Sequence, residues 1–258
     1  MNQFRRANIL GVVLIASLTM PAPRTGAQPA PITFFCTEAL EPAMREVVGE
    51  FESTTGHAVK IEFANAGANA QRILRGDEAD LVIVLPRQWE NLQAHGRINS
   101  TPRVAIGKVG IGVFVKKGDP RPGIGSLDAF KRSISKARTI AIRDPKQRSP
   151  VGTYMMALFD RLGMGKALQP KILLTADRPY ATVVSGKADL GFSTLPEILA
   201  SPGVDLVGPI PAEIQNFIIF TAAVPVNAKQ PATAKAFVDF LVSPRAAPVL
   251  KAKGIEPG

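Results

Sequence analysis

From Pro31 onward the chain alternates short apolar runs of strand length with amphipathic stretches of helix length. That alternation restricts it to folds in which helices cover both faces of central sheets. Residues 32–36 form a run suited to a buried strand, and residues 40–52 carry Leu40, Met44, Val47, Val48 and Phe51 at the spacing of one helix face, with Gly56 as a stop. Residues 59–63 set Val59, Ile61 and Phe63 against Lys60 and Glu62, the period of a strand with one wet face. A helix over 70–75 and a strand over 81–85 follow. The second half repeats the grammar. Residues 104–115 are apolar but interrupted by Gly107, Gly110 and Gly112, which suits a bend or a crossover. Ser126 caps a helix over 126–135. Beyond it the patterns predict strands at 139–142, 171–174 and 214–224, and helices at 152–162, 180–184, 233–241 and 246–253.

One local unit occurs twice. Arg75-Gly76-Asp77-Glu78-Ala79-Asp80-Leu81 and Ser185-Gly186-Lys187-Ala188-Asp189-Leu190 both place a glycine shortly before an Ala-Asp-Leu step. The physical reading is a helix closed by a left-handed glycine, a short connection, and an aspartate just ahead of a buried strand. Two lobes of similar build would each contain it once.

Ahead of this pattern, Arg5 and Arg6, the uncharged and mainly apolar residues 9–20, and a small-residue region ending Thr25-Gly26-Ala27 match the parts of a secretory signal. Residues 1–27 are therefore expected to be removed, leaving a soluble periplasmic chain. An N-terminal anchor and twin-arginine export are the alternatives, but a spanning helix needs roughly 20 apolar residues and this run is shorter. Without Arg5, Arg6 and Arg24 there remain 28 basic against 21 acidic side chains. This positive balance favours anions as partners. The basic residues are scattered and do not alternate with stacking aromatics, so nucleic acid is not an expected partner.

Familiar catalytic constellations are missing. Cys36 is the only cysteine and His57 and His95 the only histidines, so neither a disulfide nor a zinc site of usual spacing can be drawn. Cys36 reads as a buried packing residue. A Gly-x-Ser-x-Gly elbow is absent, and Gly107 to Gly112 misses both the P-loop and dinucleotide spacings. No catalytic residue, metal or cofactor is assigned. What remains is a set of loops where strands give way to helices, the place where parallel α/β sheets collect ligands and where helix N-termini offer free N–H groups. These are Thr37-Glu38-Ala39, Asn65-Ala66-Gly67, Ser149-Pro150-Val151-Gly152-Thr153 and Phe192-Ser193-Thr194. Glu38 stands out among them, because a carboxylate beside an anion repels it.

The residues from about Ile32 to Ile255 resemble the periplasmic molybdate-binding proteins and related receptors of ABC importers. The resemblance is carried by Phe35-Cys36-Thr37-Glu38-Ala39-Leu40 with Met44, Phe63-Ala64-Asn65-Ala66-Gly67, and Gly76 with Ala79-Asp80-Leu81-Val82-Ile83. It continues in Asp144-Pro145, Pro150-Val151-Gly152-Thr153-Tyr154, Asp189-Leu190-Gly191, and Lys235-Ala236-Phe237 through Leu241-Val242-Ser243-Pro244. It implies an α/β fold of the periplasmic binding protein type II, with two lobes, mainly parallel central sheets and a hinged cleft. The lobes would comprise residues 31–107 with 213–258, and residues 112–210, with crossovers near 108–111 and 211–214. The family's oxyanion contacts map onto Ala39, Ala66 or Gly67, Val151, Ala176 and Thr194. Here the two serine positions lack hydroxyls and the tyrosine position is threonine. Thr37, Asn65 and Ser149 are the neighbouring substitutes, while Arg87, Arg143, Arg148 and Arg178 are candidates to receive a carboxylate. The resemblance implies a monomeric receptor that binds a small anionic solute, a molybdate-like oxyanion or small carboxylate, and delivers it to an ABC permease. The alternatives are a secreted two-lobed enzyme acting on a small anion and an interaction protein without a transport role.

Overall fold

The computed structural model describes residues 30–99 and 103–258, and the expected signal at 1–27 lies outside them. The chain first lays down β1 (Ile32–Thr37), α1 (Glu41–Thr55), β2 (Val59–Ala64), α2 (Ala66–Arg75), β3 (Leu81–Val84), α3 (Pro86–Ala94) and β4 (Val104–Val109). It then builds β5 (Ile111–Lys116), α4 (Leu127–Lys136), β6 (Ile140–Arg143), α5 (Pro150–Arg161), α6 (Gly165–Leu168), β7 (Ile172–Thr175), α7 (Tyr180–Val184), β8 (Leu190–Thr194), α8 (Leu195–Ala200) and β9 (Val204–Pro209). It returns through β10 (Ile218–Ala223), α9 (Pro231–Leu241), α10 (Ala247–Ala252) and β11 (Ile255–Glu256).

Two sheets result, ordered β11-β4-β10-β3-β1-β2 and β7-β6-β8-β5-β9. Each is the centre of one α/β lobe. In both, a pair of parallel βαβ strands (β1 with β3, β6 with β8) is flanked by an antiparallel strand that has just arrived from the other lobe (β10 beside β3, β5 beside β8). The sheets are therefore mixed, with less parallel pairing than the sequence pattern suggests. The reason is directional: βαβ strands run toward the gap between the lobes, whereas a strand entering from the gap must run away from it.

The cores are apolar and aromatic. In the first lobe Phe237 of α9 meets Phe34 edge-on at 5.5 Å and Phe51 at 4.8 Å, so the returning chain is sealed onto β1 and α1. The second has a matching trio, with Phe192 of β8 5.9 Å from Phe159 and 6.2 Å from Phe130. Cys36 is fully buried on β1, and burial pushes its thiol well above the ordinary value, as a packing role requires.

The repeated Ala-Asp-Leu unit performs the same task twice. Gly76 and Gly186 adopt φ of 94° and 75°, the left-handed region that closes α2 and α7. Asp80 then accepts the Thr33 N–H at 2.8 Å, and Asp189 accepts the Arg138 N–H at 2.7 Å, so each carboxylate clamps the start of the neighbouring parallel strand. Asp80 also accepts from the Lys229 and Gln230 N–H groups at 2.7 and 2.8 Å, fastening the entry to α9.

Asp80→Ala would strand three backbone donors at a buried position, and urea unfolding should show a loss of about 3 kcal/mol or more. Asp189→Ala should cost less, because its Arg138 partner is exposed. Hydrogen bonds from Arg138 hold Asp189 below the usual carboxylate range. Its contribution is thus complete above an unfolded aspartate pKa of about 3.9 and fades as pH falls through the lower folded value. The wild-type advantage over Asp189→Ala should shrink over that acid window.

Candidate functional site

Helices that begin at the inner ends of the strands bring polar groups from both lobes together. From the first lobe, Thr37 ends β1 and leads into the 3-10 turn Glu38–Leu40, and Asn65 caps α2 by accepting the Ala68 N–H at 2.8 Å. From the second, Ser149 caps α5 by accepting the Gly152 N–H at 3.0 Å, and Thr194 ends β8 just before α8. Thr37, Glu38, Ala39, Asn65, Ala66, Gly67, Ser149, Val151 and Thr194 all line one cavity of about 90 Å³ between the lobes.

Arg143, Arg148 and Arg178 line the same cavity, opposed by Glu38 and Glu197. Glu38 reaches across from the first lobe, its Oε2 3.4 Å from Arg143 Nη1 and 3.6 Å from Arg178 Nη2. Arg178 Nε lies 3.3 Å from Glu197 Oε1. The hydroxyls of Ser193 and Thr194 both donate to Glu197 Oε2 at 2.8 Å. The repulsion expected from Glu38 is therefore offset by two guanidinium groups. Arg148 has no carboxylate partner among the described residues, and the buried Nε of Arg143 has no hydrogen-bond acceptor there. Behind this wall, burial and then the Glu197 carboxylate push the Tyr180 hydroxyl upward.

Two local devices hold the cationic side. Arg148 follows the 3-10 turn Pro145–Gln147 with φ of 56°, a left-handed conformation unusual for a residue with a side chain, and its N–H donates to Pro145 O at 2.9 Å. Gly152 is buried in the first turn of α5, where an added Cβ would sit 2.0 Å from the Arg143 carbonyl oxygen. Only glycine lets α5 press against the end of β6.

Three expected site residues fall elsewhere. Ala176 is exposed on the connection after β7 and does not line the cavity, although Arg178 and Pro179 of the same connection do. Gly152 lies behind the wall as a packing residue, and Arg87 sits in an adjoining outer groove. Conversely, Gln88 of α3 and Glu197 of α8 belong to the lining although the sequence pattern pointed to neither helix. A signal was present: Pro86 and Pro196 stand in the first turn of these helices, directly after strands, where proline favours a helix start. His57 and His95 lie outside the cavity lining, and among the described residues no cluster of His, Cys, Asp or Glu is arranged to hold a metal ion.

The family model described as bacterial extracellular solute-binding protein matches residues 32–256. The chain belongs to this family. That places it outside the cytoplasm, in agreement with the periplasmic location expected from the sequence. Among its relatives, an aconitate isomerase from a Pseudomonas species is 32% identical over 96% of this chain and 95% of its own length. The molybdate-binding protein of Escherichia coli is 27% identical over 86% of this chain and 88% of its own. The solved periplasmic molybdate-binding protein of Azotobacter vinelandii superposes with a TM-score of 0.73 over 88% of this chain and 99% of that one, at 22% identity. The two-lobed type II fold is thus shared, and the family member described here is a solute-binding protein.

Gly152→Ala should force α5 away from β6, lowering the melting temperature by an overpacking cost of about 1–3 kcal/mol. The same change should weaken solute binding, since it displaces both Ser149 and Arg143. Calorimetric unfolding and a binding titration on the same sample check the two effects.

Proposed function

We propose that this protein captures a small organic carboxylate between its lobes and presents it to an ABC permease. The observation that carries this reading is the exchange of hydroxyls for guanidinium groups in the cavity wall. Ala39 and Ala66 or Gly67 stand where the molybdate-binding resemblance places serines, and the Thr194 hydroxyl is committed to Glu197. Neutral donors remain at Thr37, Asn65, Gln88 and Ser149, but three guanidinium groups stand among them. A planar guanidinium instead matches a planar carboxylate with two parallel hydrogen bonds. The name of the Pseudomonas relative supports the same chemistry, because aconitate is an unsaturated tricarboxylate. Residues 31–107 with 213–258 and residues 112–210 would move as the two bodies, turning about 108–111 and 211–214 as solute draws them together.

Titration calorimetry should detect citrate or aconitate binding and much weaker molybdate binding, and mass spectrometry of gently purified protein should find a retained carboxylic acid. Arg178→Ala should weaken carboxylate binding about tenfold or more, through loss of a charge-assisted hydrogen bond. Tight molybdate binding with indifference to carboxylates would overturn the reading.

A second reading is favoured by Glu38 and by that same relative. A carboxylate at the cavity wall can take a proton from the methylene carbon of a bound unsaturated acid and return it to the far alkene carbon. The double bond shifts onto the former single bond, whose torsion at deprotonation sets whether the product is cis or trans, with no other reactant consumed. Incubation with trans-aconitate should then yield cis-aconitate, resolved by chromatography, and Glu38→Gln should abolish the conversion. Binding without interconversion leaves the receptor reading alone.

A further inference from the structure

The cavity between the lobes, at about 90 Å³, is the smaller of two adjoining spaces. It opens into an outer groove of about 740 Å³, and the two share Gly67, Leu85, Gln88, Arg148, Pro150 and Ile218 as walls. The groove is unlike the cavity in charge. Arg87 and Arg148 line it with no acidic side chain, whereas the inner arginines face Glu38 and Glu197. It is also unlike in polarity, since Phe217 and Ile219 stand about two-fifths exposed on its wall.

Arg148 is built into the boundary between the two spaces. Its left-handed backbone turns the residue out of the 3-10 segment, and its Cδ lies 3.4 Å from where a Cβ on Gly67 would be. The side chain from the second lobe thus lies against the start of α2 in the first. Glycine at 67 leaves room for that approach.

We infer that the outer groove is a second carboxylate subsite, in which Arg148 and Arg87 hold the far carboxylate of a solute whose first carboxylate meets Arg143 and Arg178. The short carbon chain between them lies against Ile219 and Phe217. The preferred solutes are di- and tricarboxylates, and monocarboxylates fill only the inner cavity. This rests on the carboxylate reading of the inner site.

The test is titration calorimetry with tricarballylate, a saturated tricarboxylate, on the wild type, Arg87→Ala, Arg148→Gly and the remote surface control Arg132→Ala. Glycine at 148 removes the guanidinium while keeping a backbone that glycine adopts freely, so melting temperature should not fall. Affinity should drop about tenfold in both groove variants and less than twofold in Arg132→Ala, the loss expected for one charge-assisted contact. If Arg87→Ala and Arg132→Ala behave alike while the wild type binds tricarballylate, the groove is no subsite and only this inference falls. If the wild type binds neither tricarballylate nor butyrate, the carboxylate reading falls with it.

Discussion

The geometry of the cleft depends on how two chain crossings are tied together. At Gly110 the chain passes from β4 directly into β5, and it returns through residues 210–217 into β10. Gln215 joins the two passages. Its Oε1 accepts the Ile111 N–H at 2.9 Å and its Nε2 donates to the Ile111 carbonyl at 3.0 Å. Gly110 makes the approach possible, since a Cβ there would lie 3.2 Å from Gln215 Nε2. Tyr154 of α5 adds a bond from its hydroxyl to the Ile214 carbonyl at 2.6 Å. The helix that carries the Ser149 cap is therefore fastened to the crossing itself, and the ends of β1, β6 and β8 face one another because of it.

With the strand ends opposed, the cavity becomes an electrostatic balance. Glu38, Arg143, Arg178 and Glu197 form an alternating series across the lobes, which satisfies charges that would otherwise be costly to bring out of water. On the proposed carboxylate reading, a solute entering this space would compete with Glu38 for the same guanidinium groups. Arg148 stands outside the series and lines the same cavity. On that reading selectivity follows from which donors are already engaged: the Ser193 and Thr194 hydroxyls are given to Glu197, whereas the arginines retain unused donor capacity.

Much of this was legible in the residues because it follows local rules. The apolar runs marked the strands of both βαβ pairs, and the Ala-Asp-Leu echo marked two clamps whose carboxylates do fix neighbouring strands. The loops at Thr37, Asn65, Ser149 and Thr194 were readable as strand ends and helix starts, and they share one cavity. Parallel order was over-read, because no local pattern tells that β10 and β5 enter their sheets from the opposite lobe. α8 and α3 escaped notice because each starts at a Leu-Pro pair and neither N-cap side chain makes a capping hydrogen bond, so Glu197 and Gln88 went unassigned. Ala176 was placed by resemblance alone, and it lies exposed while its near neighbours Arg178 and Pro179 reach the cavity.

A fold shared with molybdate-binding relatives is consistent with a different solute, because the fold supplies only converging helix starts. Those starts offer backbone N–H groups to any anion. The shape of the anion is read by the side chains between them, and here the small residues Ala39, Ala66 and Gly67 remove hydroxyls from the first lobe while Arg143, Arg148 and Arg178 supply planar cations from the second. Glu38 then acquires a reason to be present. Without Glu38, three guanidinium groups would face Glu197 as the one remaining carboxylate of the lining, and the excess positive charge would resist closure of the lobes. One carboxylate from the first lobe, shared between Arg143 and Arg178, lowers that repulsion and leaves a net positive charge for the solute.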